Sequence, residues 1–476
     1  MVFVNLLIKP FWVFGIDRTV QNKLGESEYG LYFAIFNFTY LFQILLDFGL
    51  QNYNNRQVAA EKNRINELLP TILGFKTLLF IAYLVLCVAV AYPLGYLAKP
   101  FIWIILLNQI LLSFNIYLRS NVSAHQMFIT DALLSVLDKL LMIIFCGVLI
   151  WGHLPFYQLS IFNFVLAQLA AYGITFIICL VFSFRLTDKL VLKFNTQQLV
   201  FIARSTLPYA VIHFLMTVYY RIDGVMLERL QGSRGAIESG IYAQGYRIME
   251  SLNNIGYLLA SILLPLFAYR LTQHQEVKPL LKTGLSIIYC VSVSIIVCLF
   301  YYRLELMQIL YSSSSSTTYS AEVFGYLLFN FFPVAILYVI GTLLTANQNF
   351  RLMIYTLSVA VLLNIGLNFY LITHYGAKGA GQATLITQLF MLMSYSVYSL
   401  RIFKIHLQVK YVLQLGSFML LCVLIIFFAA KISFTPDHLN NLVLHFALYF
   451  GCIPLLSYFT GLINKDTLKL KVGAHE

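Results

Sequence analysis

Long apolar stretches alternate with short polar ones along the whole chain. A helix needs about 20 mostly apolar residues to cross the hydrocarbon core of a bilayer. On that rule the sequence predicts about fourteen spans, at roughly 2–16, 29–50, 70–92, 101–121, 132–151, 160–184, 204–224, 239–268, 283–302, 322–345, 352–372, 379–400, 411–430 and 441–463. The first is short. Either it borrows residues from 17–24 or the reading frame starts late. The stretch at 239–268 reaches Pro265, which predicts a kink. No cleavable signal peptide follows from the first sixteen residues, which contain Lys9-Pro10 and lack a small-residue cleavage site.

The connections between spans are short, and their basic residues set an orientation. The even-numbered connections hold Arg56, Lys62, Arg64, Arg119, Arg185, Lys189, Arg270, Lys278, Arg351, Arg401 and Lys404, among others, and the tail adds Lys465, Lys469 and Lys471. The odd ones are poorer in Lys and Arg. Positive charge stays on the cytoplasmic side, which predicts both termini inside and an even number of spans. The segment around Arg229 and Arg234 fits least well, and Arg229 is expected in a loop. The serine run at 312–316 reads as a flexible outer connection.

Composition narrows the class. Of 476 residues, 60% are hydrophobic and only 11% charged, against about a quarter charged in soluble domains. The expected fold class is therefore an all-α polytopic membrane protein. The net charge of +12 is spread over loops, so nucleic acid is not an expected partner. All seven cysteines fall in apolar segments without metal-ligand spacing. No connection is long enough for a catalytic domain. Histidines are scattered singly, and neither a Gly-rich phosphate loop nor a paired-carboxylate loop is present. These absences argue against an enzyme such as a polysaccharide polymerase.

A weak repeat organises the chain. FGIDRTVQNKLGESEYGLY (14–32) and YRIDGVMLERLQGSRGAIESGIY (220–242) share Ile-Asp and, further on, Gly-hydrophobic-Tyr. Ile16-Asp17 matches Ile222-Asp223, and Gly30-Leu31-Tyr32 matches Gly240-Ile241-Tyr242. The offset equals six spans, as in transporters with duplicated halves. The expected division is 1–190 and 191–405 as six-helix lobes, with 406–476 as two further helices and a tail.

Polar residues recur at helical spacing inside the apolar runs. Tyr40, Gln43, Asp47 and Gln51 share a face, as do Asn108, Asn115 and Arg119, and Gly240, Gln244, Arg247, Ser251 and Asn254. Glu250 sits one turn from Arg247, and YYRIDGVMLERL (219–230) adds Arg221, Asp223 and Glu228. Such groups either tie helices together or snorkel to the headgroups, or they line a polar cavity. A cavity holding arginines suits a phosphate-bearing cargo, because the guanidinium fork bonds two oxygens at once.

The stretches LGESEYGLY (24–32), LLDFGLQNYNNRQVA (45–59) and RIDGVMLERLQG with SGIYAQGYRIMES (221–251) resemble the Wzx-type oligosaccharide flippases. That family lies in the superfamily that also holds MATE drug exporters and lipid II flippases. The resemblance covers nearly the whole chain and does not identify the sugar. It implies a V-shaped pair of six-helix lobes with two C-terminal helices, working by alternating access in the bacterial cytoplasmic (inner) membrane. The implied cargo is an undecaprenyl-diphosphate-linked oligosaccharide, such as an O-antigen, capsule or exopolysaccharide repeat unit, moved from the cytoplasmic to the periplasmic leaflet. A polysaccharide polymerase and chain-length machinery are the implied protein partners, and no organic cofactor is implied. Carried onto this chain, the anion-binding role falls on Arg221, Arg247, Arg119 and Arg56. Asp47, Asp223 and Glu250 become counter-charges or H+ or Na+ coupling sites, and Gln244, Asn254 and Asn115 become polar lining. The alternative is a cation-coupled multidrug exporter, against which the arginine stripes weigh.

Overall fold

The structure is a computed structural model that describes residues 8, 10–152, 158–187, 196–312, 314–405, 408–432 and 438–463. The side chains of residues 52, 56, 196–206, 208, 209 and 438 also lie outside the description. The described residues form helices and connections. A π-helical turn, Trp12–Asp17, leads into α1 (Arg18–Leu41), followed by α2 (Ile44–Asp47), α3 (Leu50–Ala60), α4 (Ile65–Ala91), α5 (Phe101–Ala124), α6 (Phe128–Trp151), α7 (Ile161–Arg185) and α8 (Thr196–Leu230). Then come α9 (Gly235–Thr272), α10 (Lys278–Tyr301), α11 (Arg303–Leu310), α12 (Thr317–Ala346), α13 (Phe350–Ile402), α14 (Val409–Ala429) and α15 (His438–Phe459).

The protein is an all-α polytopic membrane protein. Among the described residues, eleven helices are long and apolar enough to cross a bilayer. Two glycines divide helices further. Residues 350–402 would run about 80 Å as one straight helix, far beyond a hydrocarbon core of about 30 Å. Gly376, at φ 58° and ψ −133°, breaks that helix into two spans. Gly25 does the same near the start, at φ 79° and ψ 171°, a region that is essentially glycine-only. With both breaks, the architecture agrees with the expected number of about fourteen spans. The helix entered through the π-helical turn continues through residues 18–24 and breaks at Gly25.

Two connections differ from the sequence expectation. Residues 225–238 are almost wholly helical, so Arg229 sits in the last turn of α8. The serine run is anchored: Ser314 Oγ and Ser315 Oγ donate to the Glu26 carboxylate at 2.6 and 2.5 Å, and Ser315 N adds a longer bond of 3.3 Å. The Ser316 hydroxyl accepts from Tyr319 N and caps α12. Serine hydroxyls favour helix starts and turns over free solvation, because they satisfy nearby backbone and side-chain partners.

The chain forms two compact units, residues 1–243 with 313–315, and residues 244–312 with 316–476. In the first unit, the core clusters around Leu50, Val58, Leu69, Ile72, Leu118 and Val122. Buried amides tie its helices together. Asn54 Nδ2 donates to Ser120 Oγ and Asn121 Oδ1, and Asn108 Nδ2 donates to the Val165 carbonyl. In the second unit, α14 and α15 pack on α10 through Phe418, Cys422, Ile426 and Tyr449. Tyr289 donates to the Leu415 carbonyl, and Tyr302 bonds His445 Nδ1 at 2.8 Å.

The sequence repeat has a direct structural counterpart inside the first unit. A Cβ on Gly30 would fall 1.8 Å from the Ala236 carbonyl oxygen, and one on Gly240 would fall 2.1 Å from the Glu26 carbonyl oxygen. Each glycine therefore lies against the residue four positions before the other. This is the reciprocity of a two-fold contact, here between two copies of one motif in a single chain. The matched aspartates each accept from a tyrosine, at positions that the alignment does not match. Tyr29 donates to Asp17 at 2.6 Å and Tyr242 donates to Asp223 at 2.8 Å.

Candidate functional site

The helix that follows Gly25 is interrupted before its apolar run ends. After Leu41 the backbone leaves α-geometry at Phe42, re-forms one turn as α2, then passes through left-handed Phe48 and Gly49 before α3 begins. The sequence around it, QILLDFGLQ, supplies the reason: Gly49 tolerates φ 81°, and Asp47 Oδ2 accepts from Gly49 N at 3.2 Å. An interrupted span frees backbone carbonyls that need new partners. Lys76 provides one. Its ammonium donates to the Leu46 carbonyl and to Ser113 Oγ, both at 2.7 Å.

Lys76 is 1% exposed and lies 3.8 Å from Asp47 Oδ1. It sits about 17 Å along α4 from Ile65 at 1.5 Å per residue, deep in the bilayer. The rings of Phe114 and Tyr117 flank its ammonium at 5.6 and 5.7 Å. A lysine there is expensive unless it is paired and hydrogen-bonded. The sequence reading passed over it because it belongs to no stripe. The signal was nevertheless present, as a lone charge inside TILGFKTLLFIAY.

The face carrying Tyr40, Gln43, Asp47 and Gln51 borders a cavity of about 160 Å³, closed further by Ser113 and His213. Beside it stands Arg221 on α8. Its NH1 donates to Asn37 Oδ1 at 3.3 Å, and its guanidinium lies 4.6 Å from the Tyr40 ring centre and 6.0 Å from that of Phe36. Gly224, one turn further on, lets α8 approach Asn37 and Phe33 closely. Asp223 points elsewhere and is buried against Tyr242.

The other predicted residues fall at separate places. Arg119 Nε and NH2 converge on Asp131 Oδ1 at 3.0 and 2.9 Å. Asn115 Nδ2 donates to the Tyr172 carbonyl, tying α5 to α7. Arg56 lies on α3, and its side chain is outside the described residues. In the second unit, Arg247 pairs with Glu250 at 3.0 Å, and Asn254 donates back to the Glu250 and Ser251 carbonyls. Gln244 is buried, with its carbonyl accepting from Tyr311.

One further polar group, Lys139, escaped the sequence reading. Lys139 on α6 contacts Asp138 at 3.2 Å and the Tyr172 hydroxyl at 3.3 Å. At the end of α8, Glu228 accepts from Tyr96 at 2.8 Å and pairs with Arg229, which lies over the Tyr96 ring at 4.2 Å. Burial first, then the Glu228 charge, push the Tyr96 phenol above its ordinary value, so it remains a donor to Glu228. Among the described residues, no three His, Cys, Asp or Glu side chains gather as metal ligands.

Comparison with known proteins adds to this geometry. A family model described as polysaccharide biosynthesis protein matches residues 18–269. The solved structure of the lipid II flippase MurJ in an inward closed conformation is similar with a TM-score of 0.73 at 13% identity, over 97% of this chain and 98% of that one. An inward-facing multidrug resistance MATE family transporter of the MOP superfamily gives 0.58 at 15% identity, over 84% and 94%. The Vibrio cholerae MATE transporter VcmN in its bent form gives 0.56 at 13%, over 85% and 96%. At such identities the likeness is one of fold. No functionally curated protein matches the sequence.

Proposed function

We propose, from the premise that this chain belongs to the polysaccharide biosynthesis protein family, that it is a flippase for undecaprenyl-diphosphate-linked oligosaccharide. It takes the lipid-linked glycan from the cytoplasmic leaflet of the bacterial inner membrane and delivers it to the periplasmic leaflet. Both termini face the cytoplasm. The observation that carries this reading is a membrane-embedded guanidinium, Arg221, held beside aromatic rings at the edge of a polar cavity. Such a group attracts a diphosphate while the prenyl chain stays in lipid.

Arg247 has an anion-binding role in the second unit, with Glu250 as its counter-charge. Asp47 is the counter-charge of Lys76. Release of the cargo requires the attraction to fall, through H+ or Na+ at the carboxylates or through the membrane potential acting on the charged head group. Transport proceeds by alternating access.

The test is the lipid extract of a strain lacking the protein. The expected result is an undecaprenyl-diphosphate oligosaccharide retained on the cytoplasmic side, whose mass identifies the glycan. Restoring Arg221→Ala or Arg247→Ala in that strain should lower transport at least about tenfold, the effect of losing one charge-assisted contact, with the protein still in the membrane. No retained glycolipid, together with new sensitivity to organic cations, would move the assignment to a drug exporter.

A further inference from the structure

Three oxygens of three kinds converge on the Lys76 ammonium. The Leu46 carbonyl, at the break in the interrupted helix, accepts from it at 2.7 Å. Ser113 Oγ accepts from it at the same distance. The Ser113 proton goes to the Leu46 carbonyl at 3.0 Å, which turns the hydroxyl lone pairs toward the ammonium. Asp47 Oδ1 faces it at 3.8 Å and is itself buried, with no hydrogen bond among the described residues. On the remaining side the Phe114 and Tyr117 rings present their π-faces, which attract a cation of any kind.

A main-chain carbonyl, a hydroxyl and a carboxylate are also the ligands that hard cations take. Where a transporter helix is interrupted, the carbonyls it frees coordinate Na+ or hold a proton. Here that position is filled by an ammonium, a compact point charge with three donors, tied by its methylene chain to α4. An alkali metal ion in its place would meet the same three oxygens and balance the same carboxylate. The break at residues 42–49 therefore needs one monovalent positive charge at this point, and the chain supplies its own.

We infer that the Leu46 carbonyl, Ser113 Oγ and Asp47 Oδ1 form a monovalent-cation site in the first unit, which Lys76 occupies as a tethered ion. A tethered ion does not exchange with the solution on either side of the membrane. It holds the interrupted helix in the same way at every sodium or potassium concentration. It also withdraws Asp47 from ion coupling, so that any sodium dependence of transport lies at other carboxylates. The inference does not depend on the cargo.

The experiment uses the full chain in nanodiscs and follows its thermal unfolding at equal ionic strength in potassium chloride, sodium chloride and N-methylglucamine chloride, whose cation is too bulky for the site. Lys76→Ala removes the ammonium and leaves room for a free ion. Lys76→Ser is measured in parallel, so that one misfolded variant does not decide the matter. In each, the midpoint should be about 2–4 °C higher in potassium or sodium than in N-methylglucamine, the shift of a ligand bound to the folded state, beyond any difference that the natural protein shows. Lys76→Met, whose apolar chain fills the same space, should gain no such response. Combining Lys76→Ala with Asp47→Asn should abolish it. The site is overturned by the absence of a gain in both Lys76→Ala and Lys76→Ser, or by failure of both to fold in all three salts. A gain as large in Lys76→Met, or one that survives Asp47→Asn, overturns it too. Every one of these outcomes leaves the flippase reading standing, since none involves the glycolipid.

Discussion

At the scale of single residues, the glycines and the buried lysine make the sharpest predictions. Gly30→Ala or Gly240→Ala places a methyl within about 2 Å of a carbonyl oxygen. Each should cost about 1–3 kcal/mol or more as overpacking, seen as a lower midpoint of thermal unfolding in detergent. Gly366→Ala is the control: it is helical, and a Cβ there meets nothing within 4 Å, so its midpoint should hold or rise. Lys76→Met removes a buried ammonium that bonds Leu46 and Ser113 and faces a carboxylate 30% exposed, which should cost about 1–3 kcal/mol. Adding Asp47→Leu should recover part of that loss, because the carboxylate has then lost its counter-charge. A double variant less stable than Lys76→Met alone would mean that Asp47 is held by something other than Lys76.

At the scale of elements, the interrupted spans decide the architecture. Gly25 occupies backbone space open essentially to glycine, so Gly25→Ala should cost about 1–3 kcal/mol and loosen the turn that sets Tyr29 on Asp17. Protease accessibility of that turn is the readout. Much of this level was legible beforehand. Apolar runs marked the spans. The break at 42–49 was not legible, because residues 40, 43, 47 and 51 keep helical spacing across it and a periodicity argument cannot see a turn that preserves phase. Lys76 and Lys139 escaped for the opposite reason: each stands alone in its run, so a search for stripes passes over them, whereas a search for any charge in mid-span finds both. Arg229 was misplaced because a charged, glycine-bearing stretch reads as a loop, whereas Tyr96 and Glu228 hold it in helix.

At the scale of the whole molecule, the internal repeat proved more than a sequence coincidence. The two copies meet each other within one compact unit, glycine against backbone, and each buries an aspartate under a tyrosine. Tyr29→Phe and Tyr242→Phe each remove a hydroxyl that donates to a buried carboxylate. Each should destabilise by about 1–3 kcal/mol, in the same unfolding measurement. A large effect at one position and none at the other would mean that the second carboxylate is satisfied by other donors. Cargo identity belongs to a different level. Span counting and charge patterning do not reach it.

The reciprocal glycine contact has a genetic consequence. Every missense change in codon 30 or codon 240 adds a Cβ, and at either codon that carbon strikes the main chain of the other copy. A saturation library should therefore show two intolerant columns 210 positions apart. No compensating change at the opposite codon rescues either one, because a carbonyl oxygen cannot be mutated away.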